Sequence, residues 1–271
     1  QCSVVSGKGV DMRRQYKPNG AVIWEGASLL DGAPIVVVVV GLAVRALSKV
    51  NRKTGAMLQT YILRADLAPI DAVHNGADAS ICGSCVHRGE GTGKGRTCYV
   101  NMGQGPTIVY KGLQRGIYPT AHNTAELGRD RMVRLGTYGD PAAIPAQVWR
   151  DLTRFAIGHT GYTHQWRNVD AATWAPLLMA SADTAQDARD AWSLGYRTFR
   201  TSALNAPIAK GEVLCPASKQ AGAKVQCAQC KACSGTSTGR KGSIYIPLHG
   251  GTAVMANVPK LAVRLIARSA A

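Results

Sequence analysis

Short apolar runs alternate with polar, turn-forming segments along most of the chain. The clearest run is residues 35–40, six β-branched residues that predict a buried strand. Residues 56–64 follow a turn at 51–55 and predict a second strand able to pair with the first. Residues 69–75 are expected to form a short helix that ends at Gly76. Residues 1–33 are polar and glycine-rich, so we expect an irregular arm there, in which Cys2 has no role.

The second half of the chain alternates between strand-like and helix-like periods. Strands are expected at residues 132–137, 161–166, 176–181, 196–201, 212–214 and 243–247. Helices are expected at residues 120–131, 145–157, 184–194 and 260–268, with Thr184 capping the third and Gly195 stopping it. Such alternation predicts an α/β fold, either a partial (β/α) barrel or a curled parallel sheet, with cysteine-rich metal-binding loops.

Three segments follow from this pattern. Residues 1–55 are expected to form the arm and the first strand, residues 56–210 the α/β core, and residues 211–271 a C-terminal extension with a closing helix. In parallel sheets, sites gather where strands end, so we expect both cysteine-rich stretches, residues 138–141 and residues 182–183 at such ends.

The chain carries a large positive charge. Lysine and arginine number 32 against 16 aspartate and glutamate residues, a formal charge of +16. Such a surface favours a polyanionic partner such as DNA or a nucleotide, although a purely solubilising role is the other interpretation. Residues 35–42 are too short an apolar run for a membrane span, and no signal peptide is recognisable, so we expect a cytoplasmic protein without a membrane partner.

Seven of the eight cysteines fall into two short stretches. Clustered cysteines in a reducing compartment are typical of metal binding or catalysis rather than of disulfides. The second stretch supplies enough thiolates for a zinc or a [4Fe–4S] site, namely Cys215, Cys227, Cys230 and Cys233. Three cysteines at two-residue intervals with a separate Cys-Pro favour iron–sulfur, and zinc or free thiols stay open as alternatives.

The first stretch contains only three cysteines, Cys82, Cys85 and Cys98. One interpretation is a zinc site with His87 as the fourth ligand. Another is an iron–sulfur cluster with three irons held by cysteine and one iron open, and an open coordination position is where chemistry takes place.

Three features together resemble the radical S-adenosylmethionine (SAM) enzymes. They are the three-cysteine stretch before the α/β repeat, the segment Tyr138-Gly139-Asp140-Pro141 after a predicted strand, and the C-terminal cysteines. The second feature is similar to the Gly-Gly-Glu-Pro segment of those enzymes, whose usual cysteine spacing is Cys-x3-Cys-x2-Cys where this chain has Cys-x2-Cys-x12-Cys. The stretches CGSCVHRG and CYVNMGQGP resemble an uncharacterised group of bacteriophage proteins, which implies no chemistry but suggests a viral source, hence the host cytoplasm, and fits DNA as the partner.

The resemblance implies roles for particular residues. Cys82, Cys85 and Cys98 would hold a [4Fe–4S] cluster whose open iron binds SAM, with Tyr138, Gly139 and Asp140 beside its amino group. The four C-terminal cysteines would hold an auxiliary cluster, and a reductant protein would supply electrons. The reaction implied is radical modification or isomerisation of a nucleotide or of a DNA base, with the chemistry carried by the cofactors.

Further candidates come from strand positions. Tyr162 and His164 are catalytic candidates, because with Trp166 they alternate along a predicted strand and are expected to face one cavity. Asp183 ends another predicted strand, as a cofactor ligand or as a neighbour of a helix cap. Two other functions stay open: a zinc-dependent nucleic-acid-binding protein without catalysis, and an electron-transfer protein with closed clusters.

Overall fold

A nine-stranded, mostly parallel sheet organises the chain in the computed structural model, which describes residues 18–43, 51–202, 207–239 and 242–270. The strands are β1 (Gly20–Ala27), β2 (Pro34–Val40), β3 (Met57–Arg64), β4 (Met132–Tyr138), β5 (Gly158–Thr163), β6 (Met179–Ala182), β7 (Thr198–Ser202), β8 (Glu212–Leu214) and β9 (Ser243–Pro247). Their order is β1-β2-β3-β4-β5-β6-β7-β9-β8. The first three strands are antiparallel and all later pairs are parallel. The expected α/β class is confirmed, and the sheet is open.

Helices connect the parallel strands. They are α1 (Pro69–Asn75), α2 (Ala79–Cys82), α3 (Gly105–Gln114), α4 (Thr124–Gly128), α5 (Ala146–Thr153), α6 (Ala171–Trp174), α7 (Ala185–Ser193), α8 (Cys227–Cys230), α9 (Thr252–Ala256) and α10 (Val258–Ala270). Single 3-10 turns lie at Val86–Arg88, Pro141–Ala143, Lys219–Ala221 and Thr236–Thr238. Thr184 caps α7 through a reciprocal capping box with Asp187, as expected from the sequence. In the part of the chain that the structure describes, no helix combines the length and apolarity needed to cross a membrane.

Strand β2 lies between β1 and β3, and residues 35–39 are almost fully buried. The continuous run of β-branched residues therefore forms a core strand, as predicted. The irregular arm predicted for residues 1–33 is wrong over Gly20–Ala27, which pairs with β2 along its whole length. A register shift between Val22 and Trp24 breaks the alternation that would have identified β1 from its sequence. Residues 1–17, including Cys2, lie outside the described residues.

Several predicted elements change their boundaries. The strand expected at residues 161–166 is β5, Gly158–Thr163, because Gly158 to Gly161 pair with β4. The helix expected at residues 120–131 is confined to α4, and α3 was not predicted because glycines and Pro106 at its start favour a loop. Other strands and helices lie within a few residues of their expected bounds.

The core consists of two apolar clusters. The larger contains the fully buried Trp149 and Trp166 together with most of the sheet from β1 to β6. The smaller contains Met179 and Ile244 together with two cysteines of the second stretch, Cys215 and Cys233. Strands from all three predicted segments belong to the one hydrogen-bonded sheet. Two cysteines of the second stretch, Cys215 and Cys233, thus belong to the packed interior.

Candidate metal centres

Polar side chains collect at the carboxyl ends of three neighbouring parallel strands. Asp140 follows β4, His164 follows β5 and Asp183 follows β6. The first cysteine stretch, which comes after β3, folds over the same edge, so that Cys85 lies beside His164. The expected gathering of the first cysteine stretch with residues 138–141 and 182–183 is therefore confirmed.

Main-chain hydrogen bonds close the first cysteine stretch into a compact loop. The amide of Cys85 donates to the carbonyl of Cys82 at 3.3 Å, which forms a tight turn between these two cysteines. The amides of Thr97 and Cys98 both donate to the carbonyl of His87 at 3.1 Å. The twelve residues between the second and third cysteines therefore loop out, and Cys98 returns to the first two.

Two arginines, Arg88 and Arg96, stabilise this loop through the buried carboxylate of Asp78. Arg88 donates two hydrogen bonds to the buried Asp78, at 2.6 and 3.0 Å, and one each to the carbonyls of Gly76 and Gly83. Arg96 lies 3.5 Å from the other oxygen of Asp78. Both guanidinium groups are close enough to Cys82 to interact with its thiolate, so they offset negative charge gathered there.

The three thiols differ in acidity. Burial raises the pKa of Cys82 well above its usual value, and the charges of Cys85 and Cys98 raise it further. Burial likewise raises the pKa of Cys98, although Arg96 opposes it. Burial also tends to raise the pKa of Cys85, but its pKa is lowered because the neighbouring His164, together with His87, outweighs that effect. The thiols interact with one another, and Cys85 is the one most readily ionised.

His87, His164 and Asp183 form a compact group beside Cys85. The Nε2 atoms of His87 and His164 lie 3.0 and 3.5 Å from Oδ1 of Asp183, and the Nδ1 atom of His87 lies 2.8 Å from the hydroxyl of Thr97. Although burial opposes both shifts, the pKa of His164 is raised by Cys85 and Asp183, and the pKa of Asp183 is lowered by His164 and His87. Asp183 is thus a member of this group.

Residues 138–140 pack directly against the helix that carries Cys82. The amide of Asp140 donates to the carbonyl of Ile81 at 2.6 Å, and its carboxylate accepts from the amides of Ala142 and His164 at 3.0 and 2.7 Å. Gly139 has a φ of +85°, and a Cβ atom there would lie 2.7 Å from Cβ of Ile62. Only glycine allows this approach.

Tyr138 places a buried hydroxyl near the same cysteines. This hydroxyl has no hydrogen-bond partner among the described residues. Burial, followed by the charge of Cys82, raises the pKa of Tyr138 well above its usual value. A buried polar atom without a partner is uncommon and marks a place where a bound group can supply one.

The second cysteine stretch lies partly away from the strand ends. Cys215 follows β8 and its amide donates to the carbonyl of Tyr245 at 2.8 Å. Helix α8, however, is held at its start by the carbonyl of Lys53, at 2.9 Å from the amide of Cys227, in the turn that precedes β3. The expectation that the whole stretch lies at strand ends is therefore wrong, because the long β8–β9 connection folds back across the sheet.

Arg197 anchors this second stretch from the interior. Its guanidinium is 5 % exposed and donates to the carbonyls of Ala232, Ser234 and Gly242 at 2.6–2.9 Å. On the other side, the amide of Gly161 donates to the carbonyl of Cys233 at 3.1 Å. Burial raises the pKa of Cys233 to about 12, and the other three thiols of the stretch contribute to that rise. The four cysteines are therefore brought together.

Tyr162 and His164 do not face one cavity, contrary to the sequence prediction. The ring of Tyr162 packs on Phe199, with centroids 4.6 Å apart, and its hydroxyl interacts with Cys233. His164 lies beside Cys85, and the indole of Trp166 donates to the carbonyl of Ser181. Strand β5 ends at Thr163, so the alternation assumed for residues 162–166 does not continue.

A polar chain of contacts connects the two cysteine groups. Tyr99, next to Cys98, accepts a hydrogen bond from Arg134, whose charge opposes the rise that burial causes in the pKa of Cys227. Tyr99 also stacks on His249, whose Nε2 lies 3.4 Å from Nζ of Lys53. Arg134 was not among the residues predicted from the sequence, although an arginine within the apolar strand β4 indicates a charge with a specific partner.

The sulfur spacing constrains what each group can hold. No disulfide joins the seven described cysteines, and no three of their sulfur atoms lie within 4.8 Å of one another. Sulfur atoms around a tetrahedral zinc ion, at about 2.3 Å from the metal, are about 3.8 Å apart. Among the described residues, the cysteine side chains therefore form neither a disulfide nor a closed site for a single ion.

Comparison with known proteins identifies no relative of this chain. No protein-family model matches the chain, and neither a curated protein nor a solved structure matches it. The geometry of the two cysteine groups and of the residues between them is what bears on function.

Proposed function

We propose that this chain is an iron–sulfur enzyme of the radical SAM type that acts on a nucleic acid or a nucleotide. The observation that carries the proposal is the meeting of Cys82, Cys85 and Cys98 at the carboxyl edge of a parallel sheet, against Tyr138-Gly139-Asp140. The succession of parallel strands from β3 to β9 is in keeping with a partial (β/α) barrel.

The residues present fit an open [4Fe–4S] cluster. Three thiolates would leave one iron of such a cluster without a cysteine ligand. Arg88 and Arg96 offset the charge of the thiolates, while Tyr138 offers a buried hydroxyl without a partner. When bound, the cluster and SAM would supply a carbon-centred radical that abstracts hydrogen from the substrate.

The chain's own residues hold this region in place. The amide of Asp140 fixes the end of β4 to the carbonyl of Ile81, one residue before Cys82. Gly139 keeps the main chain free of a side chain at this contact. The carboxylate of Asp140 accepts hydrogen bonds from the amides of Ala142 and His164, and burial raises its pKa although these hydrogen bonds oppose the rise.

Cys215, Cys227, Cys230 and Cys233 would hold an auxiliary cluster. The positive charges of Arg134 and Lys53 lie near Cys227 and offset the thiolates. Arg134 donates a hydrogen bond to Tyr99, which follows Cys98 in the chain, and its charge also acts on Cys227, so that it lies between the two groups.

Basic side chains next to the first loop support a nucleic-acid or nucleotide substrate. Arg264 of α10 donates to the carbonyl of Gly95 at 2.8 Å, which docks this basic helix against the loop. Lys94 and Lys260 add charge nearby and the whole chain carries +16. Phosphate groups would be attracted to this edge of the sheet.

Anaerobic purification tests the proposal. We expect a brown protein with iron and acid-labile sulfide in equal amounts, which cleaves SAM to 5′-deoxyadenosine when reduced. Cys98→Ser should abolish cleavage while leaving part of the iron on the second group, and Cys2→Ser, at the cysteine that belongs to neither stretch of the sequence, should change neither. A colourless protein that contains zinc and binds DNA would instead identify the non-catalytic zinc alternative, and unchanged cluster spectra on addition of SAM would identify an electron-transfer protein.

A further inference from the structure

We propose that His87, His164 and Asp183 form a separate binding site for one divalent transition-metal ion, beside the first cysteine group. The site uses no cysteine sulfur and does not depend on the radical SAM assignment. Its ligands would be the Nε2 atoms of the two imidazoles and a carboxylate oxygen of Asp183. A set of two histidines and one carboxylate is a common site for Fe²⁺ and for ions of similar preference.

The three side chains come from separate segments that the fold brings together. His164 and Asp183 follow β5 and β6, which are neighbouring parallel strands, so their side chains start at the same edge of the sheet. His87 arrives from the cysteine loop, in the 3-10 turn Val86–Arg88. Such convergence from three elements holds ligands at fixed separations.

The distances fit an ion. The two Nε2 atoms lie 3.0 and 3.5 Å from Oδ1 of Asp183, and all three ligand atoms lie within 4.8 Å of one another. Ligands at about 2.0–2.2 Å from a metal ion are about 3.0–3.6 Å apart in octahedral or tetrahedral arrangements. Both imidazoles direct the same ring nitrogen toward the carboxylate, with the rings nearly perpendicular at 71°.

Outer contacts orient the ligands as they do in known metal sites. The Nδ1 atom of His87 lies 2.8 Å from the hydroxyl of the buried Thr97. If this nitrogen carries the proton, the Nε2 lone pair faces Asp183 and is available to a metal. The amide of Asp183 donates to the carboxylate of Asp187 at 3.0 Å, which fixes the main chain from which the third ligand projects.

Burial favours a cation at this position. The side chain of Asp183 is 2 % exposed, and those of His87 and His164 are 11 % and 19 % exposed. A buried carboxylate needs a compensating positive charge, which a divalent ion bound between these three side chains would supply. The sulfur of Cys85, 3.9 Å from Nε2 of His164, is not within 4.8 Å of all three ligand atoms. We therefore place it outside this site, as a ligand of the cysteine group.

Binding of Mn²⁺ alone to the anaerobically purified full chain tests the site. Mn²⁺ prefers nitrogen and oxygen ligands over thiolates, and the free ion is counted by electron paramagnetic resonance in the presence of a coloured protein. We expect one Mn²⁺ per chain, displaced by Zn²⁺, which binds such ligands more tightly.

Variants separate this site from its neighbours. Asp183→Asn, which keeps the shape of the side chain, should weaken Mn²⁺ binding at least about tenfold, and Thr97→Val should weaken it by about 10–100-fold through the orientation of His87. His122→Gln, at an exposed histidine, should leave binding unchanged, and so should Cys98→Ser, which removes a thiol of the first cysteine group and none of the three ligands of this site. The proposal is overturned if the wild type binds no Mn²⁺. It is also overturned if Asp183→Asn is folded, as judged by circular dichroism, and binds Mn²⁺ as well as the wild type does. The three residues would then be only an ion pair of Asp183 with the two histidines.

Discussion

The carboxylate of Glu212 accepts two hydrogen bonds from the guanidinium of Arg200, at 2.7 and 2.6 Å, in the interior of the protein. The side chains of Arg200 and Glu212 are 2 % and 0 % exposed. Arg200 belongs to β7 and Glu212 begins β8, the edge strand that leads directly to Cys215. This ion pair therefore connects the body of the sheet to the start of the second cysteine stretch.

Removing one partner of this pair should be costly. We expect Glu212→Gln or Arg200→Met to lower the free energy of unfolding by about 3–5 kcal/mol. The first variant leaves the guanidinium of Arg200 buried without a carboxylate, and the second leaves the carboxylate of Glu212 buried without a guanidinium. The double variant should lose less than the sum of the two. Urea unfolding measures all three. Glu126→Gln, in the exposed pair with Arg129, is the control and should have little effect, because solvent screens that pair. Equal effects at the two pairs would contradict the assignment.

Replacing Gly139 tests the close approach of β4 to the cysteine loop. Gly139→Ala should destabilise the fold by about 1–3 kcal/mol from its positive φ, with a further penalty from the contact with Ile62. Gly195→Ala is a matched control, since Gly195 has the same φ of +85° but nothing within 4 Å of the added methyl group. Thermal unfolding compares the two. If both variants lose the same stability, the contact with Ile62 carries no weight.

Stability should depend on pH through His159. Burial lowers the pKa of His159, although the hydrogen bond of its Nε2 to the carbonyl of Leu177 opposes the shift. Its pKa in the unfolded chain is about 6.5, so the unfolded chain binds the extra proton first. The free energy of unfolding should therefore fall as pH drops from about 6.5 toward the pKa of the folded state. Above about pH 6.5 the contribution of His159 to stability should be complete.

The variant His159→Gln should remove this part of the pH dependence. The measurement is urea unfolding of both proteins at several pH values between about 5 and 7.5. His122→Gln, at an exposed site, should keep the wild-type dependence. A wild-type slope that persists in His159→Gln would mean that other groups dominate this range.

Arg134 should tune the second cysteine group. In the proposed auxiliary cluster, loss of its positive charge favours the oxidised form, so Arg134→Met should lower the reduction potential. A spectroelectrochemical titration of the second cluster measures this. Arg131→Met serves as the comparison, because in the wild type the guanidinium of Arg131 donates a hydrogen bond to the carbonyl of Gly41. This variant should leave the reduction potential near that of the wild type. An unchanged potential in Arg134→Met would separate Arg134 from the cluster.

Local patterns in the sequence predicted much of the fold. The six β-branched residues of β2, Pro69 with Gly76 around α1, and the Thr184 cap of α7 each act through nearby residues, so they can be recognised in the chain itself. Strand β5 is different. Its residues, GHTGYT, carry little apolar signal, and its position is set by pairing with β4. Long-range pairing of this kind cannot be derived from the local period.

The residues of the candidate site also fall into those that local sequence patterns predict and those that depend on long-range folding. The cysteines of the first stretch could be identified from spacing, and their convergence with residues 138–140 followed from the rule for parallel strands. The grouping of His87 with His164 and Asp183, by contrast, depends on how the cysteine loop folds back, which only coordinates show. Tyr162 was placed with His164 because strand β5 was extended by three residues beyond its real end.

The way in which Cys98 returns has a consequence for recognising similar chains. Two hydrogen bonds, from the amides of Thr97 and Cys98 to the carbonyl of His87, fix the third cysteine, while residues 91–93 form the tip of a turn that the amide of Glu90 closes by donating to the carbonyl of Lys94. Because the entropy of closing a flexible loop rises slowly with its length, residues can be added or deleted there without displacing the sulfur. A search that demands a set interval between the second and third cysteines will therefore overlook proteins built in this manner, whereas one that asks for a strand, a Cys-x2-Cys turn and any later cysteine will retain them.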